Sequence, residues 1–329
     1  MKKFWQRNNE NNFIVDGTPQ SWERQLVEKV VTASLTENRR ARRWKVFFQF
    51  TTFIYLTAIM ALLLSTEIKE LWIQANPHTS LVSIEGPIAT EFKASADKIV
   101  KGLRRAFEDP QTKGIILRIN SPGGSPVQAS YVYNEIKRLR KLHKDIPVYA
   151  VIADVGASAA YYIAAAADKI YANESSIVGS IGVLMNGFGF VKTLENIGVE
   201  RRLMTAGDHK GILDPFSPMK QQDQRFVQQL LDQIHEQFIL AVKNGRKEKL
   251  QGDPNILFSG LFWNGVEAKK LGLIDSFGSA SSVAREDIGA EKIVDHTHKE
   301  DLFKQFSDQI GTSLVNGFLT VIATTPTLW

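Results

Sequence analysis

The chain has 329 residues, of which 43% are hydrophobic and 23% charged, with a formal net charge of +5 and no cysteine. That composition fits a globular chain with one sizeable domain or two small ones, and it excludes disulfide scaffolds, thiol catalysis and cysteine-based metal sites. The basic excess is local: Arg39, Arg40, Arg42, Arg43 and Lys45 crowd together, as a nucleic-acid patch or a membrane-flanking cluster would.

In chain order, residues 1–20 are polar. From Trp22 to Leu35 the apolar residues Trp22, Leu26, Val27, Val30, Val31 and Leu35 recur at helical spacing, which predicts an amphipathic helix on the inner membrane face or against a partner. Val46–Thr66 contains no charged residue. As a helix it would be roughly 31 Å long, against a hydrocarbon core of about 30 Å, whereas a buried soluble helix is the plainer alternative. The basic cluster precedes it, and Glu67, Lys69 and Glu70 follow. The positive-inside rule then makes 1–45 a cytoplasmic leader, 46–66 a single-pass signal anchor in the cell inner membrane, and the remainder periplasmic or otherwise extracytoplasmic. The preceding region is too long for a cleaved signal peptide, and no small-x-small site follows. The expected partners include a membrane and no nucleic acid.

Residues 67–79 read as a linker with a break at Asn76-Pro77, before a main domain over 80–298. Strands are predicted at Leu81–Glu85, Gly114–Ile119, Ile146–Ala153, Lys169–Ala172 and Val199–Met204. Helices are predicted at Ser95–Phe107, Val127–Leu142, Ala159–Ala167, Val191–Ile197 and Pro218–Lys243, the last as an arm or layer outside the sheet. This alternation implies an α/β fold with a mostly parallel sheet. No internal repeat is visible. The tail, 299–329, places Phe303, Phe306, Ile310, Leu314, Phe318 and Ile322 on one helical face, which can pack on its own domain, on a membrane or on another subunit.

Three polar features fall at predicted strand ends, where open α/β sheets carry their sites. Asp154 to Tyr162 reads as strand end, small-residue turn, Ser158, then helix: a hydroxyl at a helix N-terminus, where the dipole favours a developing anion. A simple N-cap serine is the alternative. Gly123-Gly124 can turn backbone N–H groups toward a substrate carbonyl, or form an ordinary glycine turn. Asp208-His209-Lys210-Gly211 offers two bases for Ser158. A Ser/His/Asp triad needs a carboxylate on the far nitrogen of His209, and the adjacent Asp208 is poorly placed for it. A Ser/Lys dyad needs a neutral amine, and bringing a lysine from about 10.4 to about 7 costs about 4–5 kcal/mol, so Lys210 would have to be covered by other residues or by another subunit. His296 and His298 flank Thr297 with no acidic cluster beside them in sequence, which predicts solvent exposure over a metal pair.

Together these stretches resemble the signal peptide peptidase family, also called protease IV: membrane-anchored Ser/Lys peptidases with a Clp-protease/crotonase-like fold, a repeated β-β-α superhelix. The matching motifs are Asn120-Ser121-Pro122-Gly123-Gly124, Gly156 to Tyr162, Ala167-Asp168-Lys169-Ile170-Tyr171-Ala172, Gly179-Ser180-Ile181-Gly182-Val183, Gly207 to Gly211, Phe262-Trp263-Asn264-Gly265, and Gly272-Leu273-Ile274-Asp275. The resemblance covers roughly residues 81–290. It implies Ser158 as nucleophile, Lys210 as general base, Ser180 as the hydroxyl orienting that amine, and oxyanion or substrate contacts at Gly123, Gly124 and Ala159. It also implies the single-domain form, a ring-shaped homo-oligomer with the dyad shared between subunits, cleaved signal peptides as substrates, and no metal or nucleotide. Other membrane-derived peptides and misfolded proteins extend the expected substrates. A crotonase-like acyl-CoA enzyme would share the fold but need pocket carboxylates, and a non-enzymatic membrane scaffold would not need the Ser, Lys and Gly-Gly set.

Overall fold

The computed structural model describes the backbone of residues 19–74 and 76–298; within the first helix, side chains from 61 onward and at several earlier positions are not described. The chain divides into two compact units, Met1–Leu71 and Trp72–Trp329. α1 runs unbroken over Pro19–Gln74, ending just past the boundary of the first unit. Its described apolar side chains, from Leu26 through Phe47, Phe50 and Phe53 to Met60, are exposed. Among the described residues no helix is long and apolar enough to cross a membrane. The expected anchor, Val46–Thr66, extends past residue 60 and so lies partly outside the described side chains. The helix continues through Gln74 into the expected linker over 67–79, since no proline or glycine interrupts it before Pro77, and it ends just before the expected break at Asn76-Pro77.

The second unit is built on three long strands, β1 (His78–Glu85), β2 (Thr112–Ser121) and β3 (Val148–Ala157), each pairing in parallel with the next. Their near-continuous apolar runs follow from burial on both faces. Successive side chains point to opposite faces. Val82, Ile84, Ile115, Leu117, Ile119, Ala150 and Ile152 therefore enter the main core, while Leu81, Ile116 and Val151 enter a smaller one on the reverse face. α2 (Ala96–Glu108) and α3 (Pro126–Leu142) cover the main core. α3 buries Ala129, Val132, Tyr133, Ile136 and Leu139, one helical stripe. Ser125 caps it by accepting from the Gln128 N–H, with Pro126 at its first position.

α4 (Ala159–Ala164) follows β3 directly and is wholly buried. β4 (Lys169–Ala172) pairs with the first half of β3, and β5 (Ile177–Gly179) with the second half. α5 (Val191–Asn196) is short and buries nothing, whereas α6 (Gln221–Arg246) sends Phe238, Ala241 and Val242 into the main core. The remaining elements used below are α7 (Pro254–Leu257), β6 (Phe262–Trp263), α8 (Gly265–Lys270), β7 (Ser276–Phe277) and β8 (Ile293–Asp295). The sheet order is β6-β5-β3-β2-β1-β8, with β4 joining β3 to β7; every pair is parallel except β5 with β6. The protein is a mixed α/β fold with a mostly parallel sheet.

Four further expectations change. β3 does not turn at Asp154 but continues to Ala157, because β5 supplies a second partner there. The helix after Ser158 ends at Ala164, the residues to Ala167 forming a turn. Val199–Met204 is not a strand: its residues are exposed, with Met204 at 94%, and it pairs with no described strand. Of the arm or layer expected for α6, the far half forms a layer, because it packs into the main core, and the arm is dropped. β5 to β8 have two or three residues each, too short for apolar periodicity to register. The tail over 301–322 lies outside the described residues.

Candidate active site

The candidate site forms where β2, β3 and β5 end side by side. Ala157 on β3 pairs with Gly179 on β5, so the next residues, Ser158 and Ser180, are neighbours. The Ser158 N–H donates to the Gly179 carbonyl at 2.8 Å, and the Ser180 N–H to that of Leu261 at 2.7 Å. Both serines have a φ of 53°, a region L-residues avoid. Such a conformation costs about 1–3 kcal/mol and persists only where the surroundings enforce it. At Ser158 the enforcement is visible: β3 is held by β2 as far as Gly156 and by β5 as far as Ala157, and α4 starts at the next residue with every side chain buried. Behind it, the Tyr161 hydroxyl donates to the Leu273 carbonyl at 2.7 Å, and burial raises the phenol pKa well above its ordinary value.

The glycine pair passes directly in front. Asn120 fastens the end of β2 to β3, donating to Asp154 at 2.9 Å and accepting from the Val155 N–H at 3.2 Å. A Cβ at Gly123 would lie 2.7 Å from the Ser158 Cβ and 2.8 Å from the Ala157 carbonyl, and one at Gly124 would lie 2.2 Å from the Ile88 carbonyl. Both have positive φ, 104° and 149°, so glycine is required twice over. The Gly123 N–H is already bonded to Ser121 Oγ at 3.1 Å. Gly124 and Ala159 line the cleft beside Ser158 and Ser180.

That cleft has a volume of about 550 Å³. Tyr162, Val183, Leu184 and Phe238 form apolar wall, Ser259-Gly260 a further edge. Phe238 reaches it from α6 and stacks on Tyr162 with ring centroids 4.9 Å apart. The structure thus brings together Ser158, Ser180, Gly123, Gly124 and Ala159.

Lys210 is not brought with them. It sits in an exposed turn, its N–H donating to the Gly207 carbonyl at 3.1 Å, and it does not line the cleft. In the same turn His209 Nδ1 lies 2.9 Å from Asp223 Oδ1. Asp223, in the first turn of α6, is a carboxylate partner of His209 that sequence reasoning missed, since only the fold brings it there. Phe238 and Ser259-Gly260 were missed for the same reason. His296 and His298 also differ from expectation: both are partly buried, and His296 faces Asp109, an acidic neighbour supplied from the turn between α2 and β2.

Fold and site together define an α/β protein with a mostly parallel sheet and a serine at a strained strand end. A family model described as Peptidase family S49 matches residues 140–292, and one described as Clp protease matches 77–178. A Synechocystis protein whose name proposes a protease is 30% identical over 198 residues, covering 60% of this chain and 69% of that protein. Protease 4 of Haemophilus influenzae is 30% identical over 249 residues, 73% of this chain and 39% of that protein. A Brucella abortus protein named Na(+)/H(+) antiporter NhaA is 47% identical over 187 residues, 57% of this chain and 25% of that protein. The chain thus spans only a quarter of that relative's length, and the antiporter name is not carried over. The chain belongs to peptidase family S49, the signal peptide peptidase and protease IV family.

Proposed function

We propose that this protein is a serine endopeptidase with Ser158 as nucleophile. The observation that carries this reading is the strained backbone of Ser158, set beside the Gly123-Gly124 turn at the mouth of the cleft. Strain of this kind collects at functional sites, and an N-cap serine alone would not require it. Ser158 Oγ attacks a peptide carbonyl while a base takes its proton. Backbone N–H groups, with Gly124 and Ala159 the best candidates, hold the oxyanion. The amine leaves with the proton, and water releases the acyl-enzyme.

The base is Lys210, with Ser180 orienting its amine. In a single chain Lys210 is exposed and does not line the cleft. A neighbouring subunit in a ring would cover it and bring it to the cleft. Phe188 and Met204, exposed at 82% and 94%, are the apolar surface such contact would cover. The second reading rests on the His209–Asp223 pair, which supplies the carboxylate on one ring nitrogen that a Ser/His/Asp triad needs.

The protein is anchored in the cell inner membrane with residues 1–45 cytoplasmic and the peptidase unit extracytoplasmic. The exposed apolar side chains of Phe47 to Met60, directly after the basic cluster, support this. There it degrades cleaved signal peptides, whose apolar cores suit the wall of Tyr162, Leu184 and Phe238.

Labelling with a serine-directed phosphonate, followed by mass spectrometry, should modify Ser158. Ser158→Ala and Lys210→Ala should each lower cleavage by roughly 10³-fold or more without unfolding the protein, and His209→Ala should retain much of it. An inactive His209→Ala beside an active Lys210→Ala would replace the dyad with a triad.

A further inference from the structure

At the opposite end of the sheet from the serine cleft, three side chains from distant parts of the chain converge. His78 opens β1, Asp109 caps the C-terminus of α2, and His296 follows β8. His78 Nε2 lies 3.4 Å from Asp109 Oδ2, and His296 Nε2 lies 3.6 Å from the same oxygen. The three donor atoms are all within 4.8 Å of one another. The His78 side chain is fully buried, while those of His296 and Asp109 are 12% and 15% exposed.

These atoms face each other without bonding. Both distances exceed the roughly 2.7–3.2 Å of an N–H···O bond, and both Nε2 atoms are buried with no hydrogen-bond partner. Buried polar atoms left this way are costly, and two converging on one carboxylate call for a ligand between them. Their orientation is set from behind. His78 Nδ1 lies 2.8 Å from the Asn76 carbonyl, which can only accept, so Nδ1 carries the proton and Nε2 presents its lone pair. Asp109 Oδ1 accepts the Gln111 N–H at 2.9 Å, which leaves Oδ2 for the imidazoles.

We propose that His78, Asp109 and His296 bind a zinc ion. Two imidazoles and a carboxylate are a zinc donor set. With bonds of about 2.0–2.1 Å, tetrahedral donors stand roughly 3.3–3.4 Å apart, close to the two nitrogen–oxygen separations of 3.4 and 3.6 Å, whereas octahedral neighbours would stand about 2.9 Å apart. A proton is the competing occupant. Direct hydrogen bonds to Asp109 would need both nitrogens closer than the 3.4 and 3.6 Å at which they stand. A single divalent ion satisfies all three groups.

The role is structural. β8 has three residues and pairs with β1 at the edge of the sheet. Zinc would clamp the segment beyond β8 to the start of β1 and to the turn before β2, a few residues after α1 ends. The site is separate from the serine cleft and does not depend on the peptidase reading.

The test uses the full chain without a histidine tag, stripped with chelator, dialysed against zinc and assayed by elemental analysis. One zinc per chain is expected, with a rise in Tm that chelator reverses. Asp109→Asn and His296→Gln should each weaken zinc binding by about 100-fold or more and abolish the Tm shift, while His143→Gln should do neither. No retained zinc, or zinc retained undiminished in the Asp109→Asn/His296→Gln double variant, would overturn the proposal. Should those variants fail to fold, X-ray absorption of the zinc-loaded wild type decides. Two imidazole ligands in a four-coordinate shell support the site, and fewer imidazoles or a six-coordinate shell reject it.

Discussion

At the scale of single residues, the site depends on two glycines as much as on the serines. Gly124 holds a short bridge to Ile88: the Ile88 N–H donates to the Gly123 carbonyl at 2.9 Å, and the Ser125 N–H to the Ile88 carbonyl at 2.8 Å. A methyl group at Gly124 would meet that Ile88 carbonyl at 2.2 Å, from a φ of 149°. Gly124→Ala should therefore destabilise the protein by roughly 2–4 kcal/mol and displace the loop that faces Ser158. Activity should fall further than the folded fraction does, which comparing chemical denaturation with phosphonate labelling of Ser158 would reveal. Equal stability and equal labelling in Gly124→Ala would mean that the loop does not position the nucleophile.

At the scale of elements, α2 and α3 are joined by a carboxylate as well as by their apolar stripes. Glu135 on α3 accepts from Arg138 through two nitrogens, each at 2.8 Å, and from Arg104 on α2 at 2.7 Å. The hydrogen bonds from Arg138 hold its carboxyl well below the usual carboxylate value of 4.5, at about 2, with Arg104 adding to the effect and burial opposing it. A depressed folded pKa contributes stability that is present above the unfolded value and lost as pH falls through the folded one. Because both guanidiniums are about half exposed, solvent screening reduces the contribution to roughly 1–2 kcal/mol. Glu135→Gln should lose that amount at neutral pH, and its deficit should shrink as pH falls from 4.5 toward about 2. Urea unfolding of both proteins across this range checks it; a deficit independent of pH would show that the charge is not what joins the helices.

At the scale of the whole molecule, the separation of Ser158 from Lys210 is the dominant fact. The nucleophile lies in a cleft closed by β-strand ends, and the proposed base lies in an exposed turn. If the dyad forms across a head-to-tail interface, mixing Ser158→Ala with Lys210→Ala chains should restore activity in roughly a quarter of the sites, because one intact serine must meet one intact lysine. Light scattering establishes that mixed assemblies have formed, and peptide cleavage reads the recovery. Verified mixed assemblies without recovery would place serine and base in one chain.

What the sequence by itself determined is whatever depends on neighbours along the chain. The β1, β2 and β3 runs, the stripe of α3 with its Ser125 cap, and the strand-serine-helix order at Ser158 all follow from local apolar patterning and turn chemistry. The parallel sheet follows from their alternation. Tertiary structure alone decided which strand ends meet. The register of β3 with β5 sets Ser180 beside Ser158, and three-residue β5 carries too little pattern to be seen beforehand. Asp223 joins His209 where α6 begins, and Asp109 joins His78 and His296 where α2 ends before β2, contacts between residues far apart or in separate elements that no local pattern announces. The run Val199–Met204 shows the converse: its apolar residues read as a strand, yet a strand is stable only through hydrogen bonds to another, and the fold offers it no described partner.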